Sequence, residues 1–247
     1  MPYSVFLNNL ILRKPRVMSK EALMELFSYK MTHDTGFAPN PFGHTLTLAT
    51  CKPSIRLCKR VGQWIAGFTS VMLNRDPVGE ERLVYLMRIG EKVHLRDYFI
   101  DPRFQDKIPN TQLIDPVAKA GDNIYRPLVP GAFEFSHFEQ LKNVNHWADC
   151  GPSKHHLEED ISGQYVLVAD TFYYFGSCPL SIPAVYRPQV PKGQANHGYL
   201  TQTEQAERFI RFIQDNYKPG IQCNPTVWET SETLKKSSCP GPSYGSC

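Results

Sequence analysis

An α+β domain built on a small, strongly bent mixed or antiparallel β-sheet with peripheral helices is the architecture this chain predicts, on three observations. Short apolar and aromatic runs recur between clusters of Gly, Pro, Asn and Asp, as strands closed by turns do. Two of these runs, residues 63–69 and 82–91, flank the turn-forming Asn74-Arg75-Asp76-Pro77-Val78-Gly79 and therefore read as an antiparallel pair. One clean amphipathic helix comes late in the chain.

The elements follow in order. Residues 1–20, in which Arg13, Lys14, Pro15 and Arg16 break an apolar start, read as an N-terminal extension; residues 21–230 read as a single domain, and 231–247 as a flexible tail rich in Lys, Ser, Pro and Gly. Residues 22–31 suit either helix or strand, read here as a short helix passing into a strand at 27–30. After the Gly/Pro loop 36–43, residues 45–49 make a short strand, and Pro53 stands in the first turn of a helix ending near Gly62. A helical turn is expected at 95–99. Residues 101–135 form a long loop rich in Pro and Gly, and loops of that length inside a domain usually carry function. Strand character returns at 164–169 and 172–175. Thr201 with Glu204 has the pattern of a capping box, and Ala206, Phe209, Ile210 and Ile213 share one helical face before Pro219-Gly220.

Hydrophobic residues make up 41% and aromatics 12%, enough for a packed core and too much for a disordered chain. The 27 Lys+Arg against 24 Asp+Glu leave +3, too little for a protein that coats nucleic acid by counterion release, though a local basic patch remains open. Seven cysteines, scattered and without a CxxC pair, argue against a zinc ribbon and a secreted disulfide framework. No apolar run reaches the ~18 residues of a membrane span. The expectation is a cytoplasmic protein with no membrane partner.

Taken in order, Ala38-Pro39-Asn40-Pro41-Phe42-Gly43, Cys51-Lys52-Pro53-Ser54-Ile55-Arg56, Leu83-Val84-Tyr85-Leu86-Met87, Asp101-Pro102-Arg103-Phe104, Gly121-Asp122-Asn123-Ile124-Tyr125 and Asp170-Thr171-Phe172-Tyr173-Tyr174-Phe175-Gly176 resemble the second type of nucleotide-modification-associated domain. That bacterial and phage family is grouped with the machinery of modified DNA bases. Gln63 stands where its pattern has an Asp, and Ser136-His137-Phe138 lacks the second His or Ser of an expected pair. The succession of a helix, a Gly-x-Trp strand and a Leu-Val-Tyr-x-Met strand also looks like the small barrels of the PUA, ASCH and EVE group. Such barrels commonly hold a base or nucleotide in a cleft, so a PUA/EVE-like barrel is the alternative to an open bent sheet.

Candidate site residues follow from chemistry and motif together. Lys52 and Arg56 beside a helix start suit an anion, or are simply solvated. Trp64 between two glycines is a base platform or core; Tyr173 and Tyr174 raise the same choice, because alternate strand residues face opposite ways. Arg103 suits phosphate, Asn123 can offer donor and acceptor to a base edge, and Asn40 and Tyr125 of the matching motifs complete the ligand-binding set. Asp122, Asp170 and His197 are the candidate acid–base groups. The donors between His146 and Asp160 lack a recognised metal spacing, so no metal and no cofactor is assigned. The absence of Gly-x-Gly-x-x-Gly, Gly-Lys-Ser/Thr and Gly-x-Ser-x-Gly motifs sets aside dinucleotide oxidoreductases, P-loop ATPases and serine hydrolases. Three readings stand: recognition of a nucleotide or modified base in a cleft, in a DNA-modification or phage-defence setting; acid–base catalysis on a base or nucleotide; or a scaffold for modification enzymes. The expected partners are a nucleotide or nucleic acid with a modified base, and modification enzymes.

Overall fold

The computed structural model describes residues 24–148, 151–193 and 195–228. The expected extension at 1–20 and tail at 231–247 lie outside them. In chain order the first half holds β1 (Leu26–Lys30), β2 (Thr47–Leu48), α1 (Pro53–Cys58), β3 (Trp64–Phe68), α2 (Val71–Asn74), β4 (Leu83–His94), α3 (Leu95–Ile100) and a 3₁₀ helix (Pro102–Lys107). Next come α4 (Pro116–Lys119), β5 (Tyr125–Pro127), β6 (Phe138–Gln140), β7 (Trp147–Ala148), β8 (Gly151–Pro152) and α5 (Lys154–Ser162). The last elements are β9 (Tyr165–Tyr174), β10 (Tyr199–Thr201), α6 (Thr203–Asn216) and β11 (Gly220–Ile221).

Seven strands make one mixed sheet in the order β10-β1-β3-β4-β9-β11, with β2 also on β9. β1 runs parallel to β3 and β11 parallel to β9, while the other pairs are antiparallel. The expected pair of runs 63–69 and 82–91 is β3 against β4. Among the described residues the sheet stays open, with β10 and β11 at its edges, which corrects the barrel alternative. The β4–β9 register shifts around Gly90, at irregularities between Arg88 and Ile89 and between Ile89 and Glu91. A side chain at Gly90 would place Cβ 2.5 Å from that of Asp170, so glycine permits this close approach.

Alternation along the strands divides the core. Trp64, Ala66, Phe68, Leu86, Tyr173 and Phe175 face α6, which supplies Ala206, Phe209, Ile210 and Ile213, the four positions expected from helical spacing. Ile65, Tyr85, Met87, Leu167 and Tyr174 face Leu46, Leu48 and Ile55 from the β2–α1 side. A third cluster packs Tyr98, Phe104, Ile124, Tyr125, Phe138 and Ile161 on Val166 and Val168. Phe172/Tyr174 and Tyr173/Phe175 do face opposite ways, but Tyr173, Tyr174 and Phe175 are all buried.

Several local expectations are revised. Met24 and Glu25 precede β1 as irregular backbone instead of helix. The loop 101–135 contains the 3₁₀ helix, α4 and β5, and the two late strand segments join as β9. Thr201 is the last residue of β10, paired with Leu26, and its hydroxyl accepts from Gln189 N at 3.2 Å; α6 therefore starts at Thr203 without a side-chain cap. Sheet pairing outcompetes the capping box at that residue. Cys178 and Cys223 form a disulfide, Cα atoms 6.0 Å apart, a pairing that their scattered spacing in the sequence does not announce. No helix of the described residues is long and apolar enough to cross a membrane.

Gly67 opposes Tyr85 across β3 and β4, and a Cβ there would stand 2.3 Å from the Tyr85 ring. That ring is buried and its hydroxyl is hydrogen-bonded to Tyr29 at 2.8 Å, so it cannot swing aside freely. Gly67→Ala should lower stability by about 1–3 kcal/mol in urea unfolding. Gly193→Ala, with nothing within 4 Å of its Cβ position, should stay within about 0.5 kcal/mol of wild type.

Candidate functional site

A cleft of about 220 Å³ opens between residues 40–43, the 3₁₀ helix and α4, lined by Asn40, Phe42, Asp106, Lys107, Asp115 and Gly121 among others. Its floor is a buried polar network. The Lys107 ammonium donates to Asn40 O (3.2 Å), Asn40 Oδ1 (2.8 Å) and Thr47 Oγ1 (2.9 Å), which uses all three of its hydrogens. Thr47 donates to Asp122 Oδ2 at 2.6 Å, and the Tyr98 hydroxyl donates to Asp122 Oδ1 at 2.7 Å. Burial pushes Lys107 down to about 8, against the opposing charges of Asp122 and Asp106. Burial likewise pushes the Asp122 carboxyl up, opposed by Lys107 and the two hydroxyls. At the rim, a Cβ on Gly43 would sit 2.4 Å from the Asp106 carboxylate, and one on Gly121 would sit 2.3 Å from Lys107 O. Both glycines let these segments close together.

The neighbouring network centres on Asp160, on the last turn of α5 and 1% exposed. Its Oδ1 accepts from Cys51 N at 2.5 Å and from Arg56 Nη2 at 3.3 Å. Its Oδ2 accepts from the Tyr125 hydroxyl at 2.7 Å and meets His146 Nδ1 at 3.1 Å. Arg56 also donates to the carbonyls of Cys51 (2.7 Å), Tyr165 (3.0 Å) and Asp160 (2.6 Å). Burial raises the Asp160 pKa, but His146, Arg56 and Tyr125 outweigh it and hold the carboxyl below its ordinary value. Gly163 leaves room for the guanidinium, which a Cβ would approach to 2.6 Å.

The structure disperses the candidate residues. Asn40 and Asp122 belong to the cleft and its floor. Asn123 is buried, donating to the Tyr98 and Phe104 carbonyls at 3.3 and 3.1 Å, so its amide is occupied within the protein. Arg56 and Tyr125 are absorbed by Asp160, which removes half of the expected anion site; the Lys52 ammonium instead lies 5.2 Å from the Tyr29 ring centroid. Trp64 and Tyr173 are core on the α6 face, and Tyr174 donates its hydroxyl to Asp34 on the other. Arg103 is held on the surface by Glu91 and Asp101, and Asp170 pairs with Arg88 at 2.8 Å. His197 is exposed in a turn apart from both networks. Asp106, Asp115, Thr47 and Tyr98 went unrecognised as site residues because single polar residues in loops and strands carry no spacing signal, and Lys107 beside them is a buried strut. Of the expected donor cluster, Asp149 and Cys150 lie outside the described residues, and the described residues hold no group of three His, Cys, Asp or Glu arranged for a metal.

Asp160→Asn would leave the Arg56 charge buried without its counter-charge and should cost about 3–5 kcal/mol in denaturant unfolding. A carboxyl whose folded pKa lies below the unfolded value of about 3.9 contributes its full stabilisation above that pH and loses it as pH falls through the folded value. The variant should therefore lose stability less steeply than wild type as the medium is acidified below about pH 4.

No curated protein and no solved structure matches the chain. The family model described as nucleotide modification associated domain 2 matches residues 23–232, and this span contains the whole sheet, the cleft and both buried networks. The chain belongs to the nucleotide modification associated domain 2 family, which sets it in a DNA-modification context.

Proposed function

We propose that the cleft above Lys107 receives a single nucleobase bearing an exocyclic amino group, as the recognition element of a protein working on modified DNA. The observation that carries this reading is the pairing of two exposed carboxylates, Asp106 and Asp115, with a rigid buried floor. Carboxylates accept from amino groups on base edges and repel phosphate, so the base and not the nucleotide's phosphate is the part that enters. At about 220 Å³ the cleft is smaller than the roughly 300–1,000 Å³ of pockets that engulf drug-sized ligands, and suits one heterocycle. Phe42 supplies a ring at the rim, backed by Trp228 at 5.2 Å between centroids.

Lys107 contributes by positioning. Its ammonium clamps Asn40 to Thr47, and loss of one proton leaves one of those acceptors without a donor. Native mass spectrometry of the full chain with a panel of free and modified bases and nucleosides should retain amino-bearing members. Asp106→Asn or Asp115→Asn should weaken that binding about tenfold, the scale of one base-edge contact. Equal affinity in both variants would rule this reading out. Calorimetric titration should also show affinity falling as pH rises through about 8, where Lys107 loses its proton.

A further inference from the structure

The segment after β2 turns sharply into α1 through two successive non-glycine residues in the left-handed region, Cys51 at φ 54° and Lys52 at φ 45°. That conformation is costly, roughly 1–2 kcal/mol per residue, and here it is enforced from both sides of one residue. Asp160 holds the Cys51 amide, and Arg56 Nε holds its carbonyl. The result points the Cys51 sulfur at His146, with Sγ 3.5 Å from Nε2. On the far side of the same ring, Nδ1 meets Asp160 Oδ2 at 3.1 Å. Phe37 packs edge-on at 4.9 Å and His156 stacks at 4.0 Å, so the imidazole is held between rings.

From this geometry we infer that Cys51, His146 and Asp160 form a nucleophilic relay for acyl transfer from an ester or thioester donor, a site that shares no side chain with the cleft lining. An ionised Asp160 has no proton to give, so the hydrogen of that contact resides on His146 Nδ1 and Nε2 is the base facing the thiol. Asp160 is a positioning residue; Cys51 and His146 meet the reacting atoms. The Cys51 Sγ attacks the acyl carbon as its proton passes to Nε2, and the carbon's bond to the leaving oxygen or sulfur breaks as that atom takes the proton from His146. Water or an amine then attacks the acyl-thioester, passing its proton through Nε2 back to the departing Cys51 sulfur and giving an acid or an amide. All three residues are buried, with exposures of 1% at Asp160, 2% at His146 and 6% at Cys51. Among the described residues, the other titratable groups around it include Arg56 and Tyr125 on Asp160, His156 on His146, and Tyr29 towards Cys51.

Cys58, exposed at the far end of α1, is an internal reference. Iodoacetamide labelling of the full chain, read by peptide mass spectrometry, should modify Cys51 at least about tenfold faster than Cys58 below pH 7, despite its burial. His146→Asn should remove that advantage while thermal unfolding shows the domain still folded. With p-nitrophenyl acetate, wild type should release a burst of nitrophenolate and carry acetyl on Cys51, and Cys51→Ser should do neither. Should His146→Asn fail to fold, the wild-type profile decides. A thiol in the relay labels with a midpoint below the ordinary value of about 8.5, whereas a merely buried thiol labels with one above it. Cys51 labelling slower than Cys58 at every pH, or no acetyl on Cys51, would overturn the assignment.

Discussion

The buried carboxylate of Asp160 is the point on which the loop side of this protein depends. An ionised group with 1% exposure survives only if both oxygens are met by donors and a positive charge stands close. Those donors come from three separate stretches, Cys51 and Arg56, Tyr125, and His146, all outside the helix that carries Asp160. Removing any one leaves the others desolvated without compensation, so the network acts as a unit that fixes the β2–α1 turn against the third core cluster.

The second buried network, around Lys107 and Asp122, hangs on the same two pieces of chain. Residues 40–56 supply Asn40, Thr47, Cys51 and Arg56, and residues 122–125 supply Asp122 and Tyr125. The motifs that carry the family resemblance therefore serve largely as internal struts. They hold the 3₁₀ helix and α4 in place around the cleft, while the groups that reach solvent there, Asp106 and Asp115, lie between the motifs. A further network joins Asp34, which accepts from Tyr174 and from Thr226 N and Oγ1, to the C-terminal stretch that Cys178–Cys223 ties to the loop after β9.

Much of the architecture was legible because local patterns and tertiary contacts agree. The α6 face, the β3–β4 pair and the helix beginning at Pro53 each follow from periodicity, turn chemistry or a proline position. Where local and long-range preferences competed, the long-range one prevailed. Thr201 gave up its cap for a place in β10, and Met24-Glu25 stayed irregular before β1 joined the sheet. The barrel expectation failed because helix–strand–strand order does not specify whether the outermost strands meet.

The sequence by itself determined the family, the α+β class, the faces of β9 and α6, and the segments from which a site would be drawn. Only the tertiary structure decided the roles within those segments. Arg56, Asn123, Tyr125 and Tyr174 are polar or aromatic in a string of letters, but each is turned inward to satisfy a partner 35 to 140 positions away, or in the case of Asn123 a carbonyl 19 and 25 positions away. Composition and periodicity report which side chains can bind; burial and the partner across the fold determine which of them remain available to do so.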